Sequence, residues 1–163
     1  MHERTFLYDQ QVYQRQLPIV KYFIYHLIYY RALRRAYGER QLQDEFWALT
    51  TDAHLLRAAI NWCMIFGSDK HEPTHWKKLS IAASQELKKS FDDGLFKETG
   101  FNRDSWRAYW RSMTDFRNKY AVHRELTPIT KPVPDFDGAL EVAFFFDRWT
   151  REVISPDVVA RFI

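Results

Sequence analysis

Residues 42–67 read LQDEFWALTTDAHLLRAAINWCMIFG, a run with no internal glycine or proline that stops at Gly67. Phe46, Leu49, Ala53, Leu56, Ile60 and Met64 recur through it at spacings of three and four, the period that places side chains on one stripe of a helix. The spacing predicts a long amphipathic helix. Toward the N-terminus, Pro18 stands where a first helical residue would tolerate it, and 19–37 carries Ile24, Leu27, Ile28 and Leu33 before Gly38. Toward the C-terminus, a polar connection from Gly67 to Pro73 and the triplet Thr74-His75-Trp76 lead to a third helical stretch over about 79–97, in which Asp92-Asp93 before Gly94 carries the mark of a helix end. A fourth begins near Asn102 or Asp104 and runs through Arg124, where Pro128, Pro132 and Pro134 forbid continuation. A fifth covers 138 to about 153, with Asp137 as its cap and Pro156 behind it. With no internal repeat and no β-hairpin signal, the expectation is one domain over 1–163, an all-α antiparallel bundle of about five helices.

Composition narrows the function classes. Five glycines in 163 residues are too few for the turns of an all-β sandwich or barrel. They stand alone at 38, 67, 94, 100 and 138, so neither G-x-G-x-x-G nor a Walker-type phosphate loop can be assembled. The single Cys63 excludes an intramolecular disulfide framework and a multi-cysteine zinc site, and it fits a reducing cytosol. The most apolar early run, 19–30, is interrupted by Lys21 and His26 and is too short to span a bilayer; with no secretory signal evident, a cytoplasmic chain without a membrane partner is expected. Hydrophobic residues at 46%, with six tryptophans, provide apolar surface for a core and argue against disorder.

The formal charge of +3 is a weak pointer to an anionic partner, but its distribution is uneven. Arg31, Arg34, Arg35 and Arg40 face a single acid, Glu39, within 22–40. Arg103, Arg107, Arg111, Arg117, Lys119 and Arg124 outnumber Asp104, Asp115 and Glu125 within 100–125. Either window is a solvated helix face or an anion-binding surface.

The fourth helix holds the residues of most chemical interest. Advancing about 100° per residue from Phe116 places Tyr109, Met113 and Tyr120 within about 60° of it, with Trp106 and Trp110 at the wider edge. This apolar seam faces the core or a partner. On the same wheel His123 lies about 20° to one side of Phe116 and Arg117 about 100° to the other, so the two bracket the seam.

The segment Phe116-Arg117-Asn118-Lys119-Tyr120-Ala121-Val122-His123 resembles the signature of the HEPN superfamily, an Arg followed after four to six residues by His, commonly with a polar residue after the Arg. The spacer here is five and the polar residue is Asn118. The stretch from Asn61-Trp62-Cys63 through Phe66-Gly67 to Thr74-His75-Trp76 is similar to a segment of the abortive-infection branch of these proteins. The resemblance implies a HEPN-like helical fold and a metal-independent endoribonuclease of toxin–antitoxin or antiphage-defence type, without a cofactor. It further implies a homodimer with the Arg and His of both subunits across a cleft, an RNA substrate, a possible antitoxin partner, and 2′,3′-cyclic phosphate and 5′-OH products.

The residue chemistry is compatible with that. RNA carries its own nucleophile, the 2′-OH, so cleavage needs a proton acceptor, a proton donor and positive charge at the phosphorane. His123 could serve as acid or base near neutrality. Arg117 would offer a planar fork of donors to phosphate, supported by Asn118, while Lys119 and Arg124 hold the RNA backbone and Tyr120 either stacks on a base or packs in the core. The bland alternative makes His123 a helix-terminal capping residue and pairs Arg117 with Asp115 or Glu125. A second functional class is a non-catalytic HEPN-like module that binds RNA, a nucleotide or a protein. Cys63, His71 and His75 lack an established metal-ligand spacing, and Asp135 with Asp137 offers too few oxygens for a calcium loop.

Overall fold

The computed structural model describes residues 7–40, 44–82, 84–122 and 133–154. The chain is an all-α bundle: α1 (Gln10–Arg40), α2 (Glu45–Phe66), α3 (Gln85–Glu98), α4 (Arg103–Phe116) and α5 (Phe136–Ile154). A 3-10 turn at Trp76–Leu79 precedes α3, and a π-helical segment, Arg117–Val122, continues α4.

Local signals set most of the helix ends. The α1 helix starts eight residues before Pro18 because Asp9 Oδ1 accepts from the amides of Gln11 (2.8 Å) and Val12 (3.1 Å). Pro18 is therefore interior, not a first residue, and Gly38 also lies within the helix. Asp44 caps α2, which ends before Gly67 as the spacing predicts. The third helix starts later than expected, after the Ser84 cap, because Leu79 and Ile81 exchange backbone hydrogen bonds with Asp9 and Leu7 and hold that stretch extended. Asp135, rather than Asp137, caps α5 by accepting from the Asp137 amide at 3.0 Å. Asp137 instead pairs with Arg31 and links α5 to α1.

The α1 and α2 helices pack antiparallel, with His26 meeting His54 and Tyr37 sharing a concavity with Ala48. The buried face of α2 is Leu55, Ala58, Ala59, Trp62, Cys63, Ile65 and Phe66. Only the N-terminal end of the stripe read from the sequence points away: Phe46 and Leu49 are 64% and 59% exposed, whereas Leu56 packs against the core and Ile60 and Met64 are half-buried. The α3 helix lies against α5, where Phe91 touches Phe145 and Trp149 and stacks on Trp76 at 3.8 Å between ring centroids. Gly94 sits inside this contact and does not end a helix: a Cβ there would meet Phe145 Cε2 at 2.8 Å. The core is thus largely aromatic, each fully buried large side chain contributing about 1.5–3 kcal/mol by removal from water. No helix among the described residues is long and apolar enough to cross a membrane.

Candidate functional site

The α4 helix is fixed first at its N-terminus. Asn102 and Ser105 form a reciprocal capping box, satisfying amides that the first turn cannot pair internally. Along the helix the apolar seam turns inward, with Met113 and Phe116 buried and Tyr109, Trp106 and Trp110 packed against the core. Trp62 of α2 meets Trp106 and Tyr109 edge-on. Trp110 Nε1 donates to the Phe66 carbonyl at 2.7 Å, pairing one of the acceptors left over at the end of α2. Tyr109 donates its hydroxyl to the Asp135 carbonyl at 2.6 Å, tying α4 to the start of α5. Met113 and Phe116 of the seam are therefore core, and Trp106, Tyr109 and Trp110 are half-buried at its edge.

Beyond Phe116 the backbone changes from α to π geometry, and the change begins at Arg117. Single π-helical turns concentrate at functional positions, because the wider turn displaces side chains from the α phase. Angles derived for a straight α-helix consequently do not extend beyond Phe116. Arg117, Asn118, Lys119 and Tyr120 all lie on this segment: Asn118 is exposed, and Arg117, Lys119 and Tyr120 are half-buried. His123 and Arg124 lie outside the described residues.

Arg117 turns toward α2. Its guanidinium lies beside the Cys63 thiol, whose pKa burial pushes up to about 12 against the lowering influence of that charge. Cys63 is thus a protonated core residue, unsuited to nucleophilic work. The Arg117 Nε is itself buried and finds no hydrogen-bond partner among the described residues. Tyr120 places its ring 4.8 Å from that of Phe116, extending the seam into the π-helical segment.

Other titratable residues have structural roles. His75 is 2% exposed, with Nε2 donating to the Gly67 carbonyl at 3.1 Å and Nδ1 accepting from the Lys77 amide at 3.2 Å. Burial, reinforced by Lys77, lowers its pKa to about 4, so the ring is neutral at pH 7. Gln16 of α1 holds the same loop through the Thr74 and His75 carbonyls. His71 is exposed, and no group of three or more His, Cys, Asp or Glu among the described residues is placed to hold a metal. His26 and His54 approach with their Nδ1 atoms 2.8 Å apart, so one donates to the other; burial, then His54, then Arg57 lower the His26 pKa.

The sequence reading missed a cleft of about 580 Å³ between the loop after α2, α3 and the N-terminal part of α4. Arg103, Arg107 and Arg111 line one side at intervals of four, a stripe that is visible in the sequence. Lys77 and Lys88 join them only through folding. Comparison with family models, curated proteins and solved structures finds no match to this chain.

Proposed function

We propose that the chain is a metal-independent endoribonuclease of HEPN type, acting in toxin–antitoxin or antiphage defence. The observation that carries the reading is the coincidence of two independent features: the Arg-Asn pair of the motif and the onset of the π-helical segment fall on the same residues. On this reading His123 transfers protons at the 2′-OH and the leaving 5′-oxygen, and Arg117 binds the phosphate and its transition-state charge. Asn118 supports the phosphate or ribose, and Lys119 and Arg124 hold the RNA backbone.

The test is cleavage of single-stranded and structured RNA by the purified chain with chelator present. Cleavage yielding 2′,3′-cyclic phosphate ends is expected, with a loss of about 10²–10⁴-fold in His123→Ala. Activity that survives His123→Ala, or that is abolished by chelator, overturns the mechanism. The position of the Arg117 guanidinium beside Cys63 favours a second reading, a HEPN-like module that binds RNA, a nucleotide or a protein without turnover. Salt-sensitive RNA binding with no cleavage would select it.

A further inference from the structure

The cleft beside α4 gathers a surplus of positive charge around one concavity. Lys77, Lys88, Arg103, Arg107 and Arg111 line it against only Asp69 and Asp92. That surplus of three positive charges equals the formal surplus of the entire chain. Lys77 is paired with Asp69 at 2.8 Å, whereas Lys88 and the three arginines make no ion pair with any described residue. Asp92 offsets part of the charge of Arg103 and Lys77, and the remaining surplus of cations from separate elements around one concavity concentrates positive potential and attracts an anion.

The walls are not uniformly polar. Phe96 and Trp106, both half-buried, also line the cleft, and Trp110 is held in place by its bond to Phe66. Asp92, half-buried at the same cavity, can accept hydrogen bonds from a ligand hydroxyl. Cationic donors, aromatic walls and a carboxylate acceptor match the three parts of a ribonucleotide: phosphate, base and ribose. A volume of about 580 Å³ is within the range of small-ligand sites.

We infer that this cleft binds a phosphorylated ribonucleoside unit, free or at the end of an RNA strand, with phosphate on Arg103, Arg107 and Lys88. The site is separate from the Arg117–Val122 segment and stands whether or not the chain cleaves RNA.

The test follows tryptophan fluorescence of the full chain during titration with AMP, adenosine, inorganic phosphate and a 5′-phosphorylated tetraadenylate, at low and high salt. AMP is expected to bind more tightly than adenosine or phosphate alone, and more weakly as salt rises. The tetranucleotide distinguishes the sources: tighter binding than AMP assigns the cleft to RNA ends, and equal or weaker binding assigns it to free nucleotide. Arg103→Gln combined with Arg107→Gln, both at exposed positions, should weaken AMP roughly tenfold or more while leaving the far-ultraviolet dichroism unchanged. His123→Ala should leave AMP binding intact even where it abolishes cleavage, so the two ideas fail separately. Absence of AMP binding, affinity for phosphate equal to that for AMP, or an unchanged affinity in the double variant overturns the inference.

Discussion

Gly94 shows how a single missing side chain shapes the bundle. A methyl group there would press on the Phe145 ring, which is fully buried and packed against Phe91 and Trp149. Alanine gains about 1 kcal/mol of helix propensity, but overpacking against a ring that cannot retreat costs about 1–3 kcal/mol. Gly94→Ala is therefore expected to lower stability by up to about 2 kcal/mol, read as a lower urea midpoint at unchanged slope. His75 makes the second prediction at this scale. Its folded pKa is depressed to about 4, so above about pH 6.5 the ring is neutral in both states and adds no pH dependence. As pH falls from about 6.5 toward 4, the unfolded chain takes up the proton first and stability is lost, by about 3 kcal/mol in total. His26, also lowered, acts in the same direction; Asp92, raised by burial, opposes it only at the acid end. Urea unfolding across this range should show the loss, and His75→Gln should flatten the profile relative to the parent.

At the scale of an element, α2 carries two apolar stripes, and periodicity alone does not say which one meets the core. The stripe through Phe46, Leu49 and Ala53 is regular, yet it faces away from the bundle. The buried stripe includes Thr51 and Asn61 as well as Leu55 and Trp62, and those polar members weaken its signal in the sequence. The assignment predicts a contrast between neighbouring leucines. Leu55→Ala should cost about 2–5 kcal/mol by opening a cavity, while Leu49→Lys should stay within about 0.5 kcal/mol of the parent. Equal losses in denaturant melts would contradict the packing. The seam of α4 was legible because its opposite face is polar and leaves one orientation. The onset of π geometry at Arg117 was not, since nothing in the residue types around Phe116 distinguishes an α from a π turn.

Over the whole molecule, stability comes from the aromatic core more than from charge. Among the described residues, the ion pairs that link separate segments, Arg31–Asp137, Lys77–Asp69 and Arg148–Glu98, are all substantially exposed. Exposed pairs are worth about 0–1 kcal/mol each and are screened by salt. Raising salt from about 0.1 to 1 M should accordingly move the thermal midpoint little, whereas AMP binding in the basic cleft should weaken markedly. A large loss of thermal stability in salt would overturn this view of what holds the bundle. The comparison also separates the two places where charge gathers: the helix connections tolerate screening, and the cleft depends on its absence.

Spacing of apolar residues, together with glycine, proline and capping residues, suffices to make this chain helical, to divide it into five long helices and to orient the α4 seam, because those preferences act over one or two turns. The same local signals place Arg117, Asn118, Lys119 and Tyr120 at the end of that seam. They cannot say that Pro18 is carried inside a helix, that the N-terminal half of the regular stripe of α2 faces outward, or that Lys77 and Lys88 join Arg103, Arg107 and Arg111 around one cleft. Those outcomes depend on contacts between segments far apart in the chain, where burial of Trp62, Phe91 and Phe145 outweighs the local pattern and selects which faces meet.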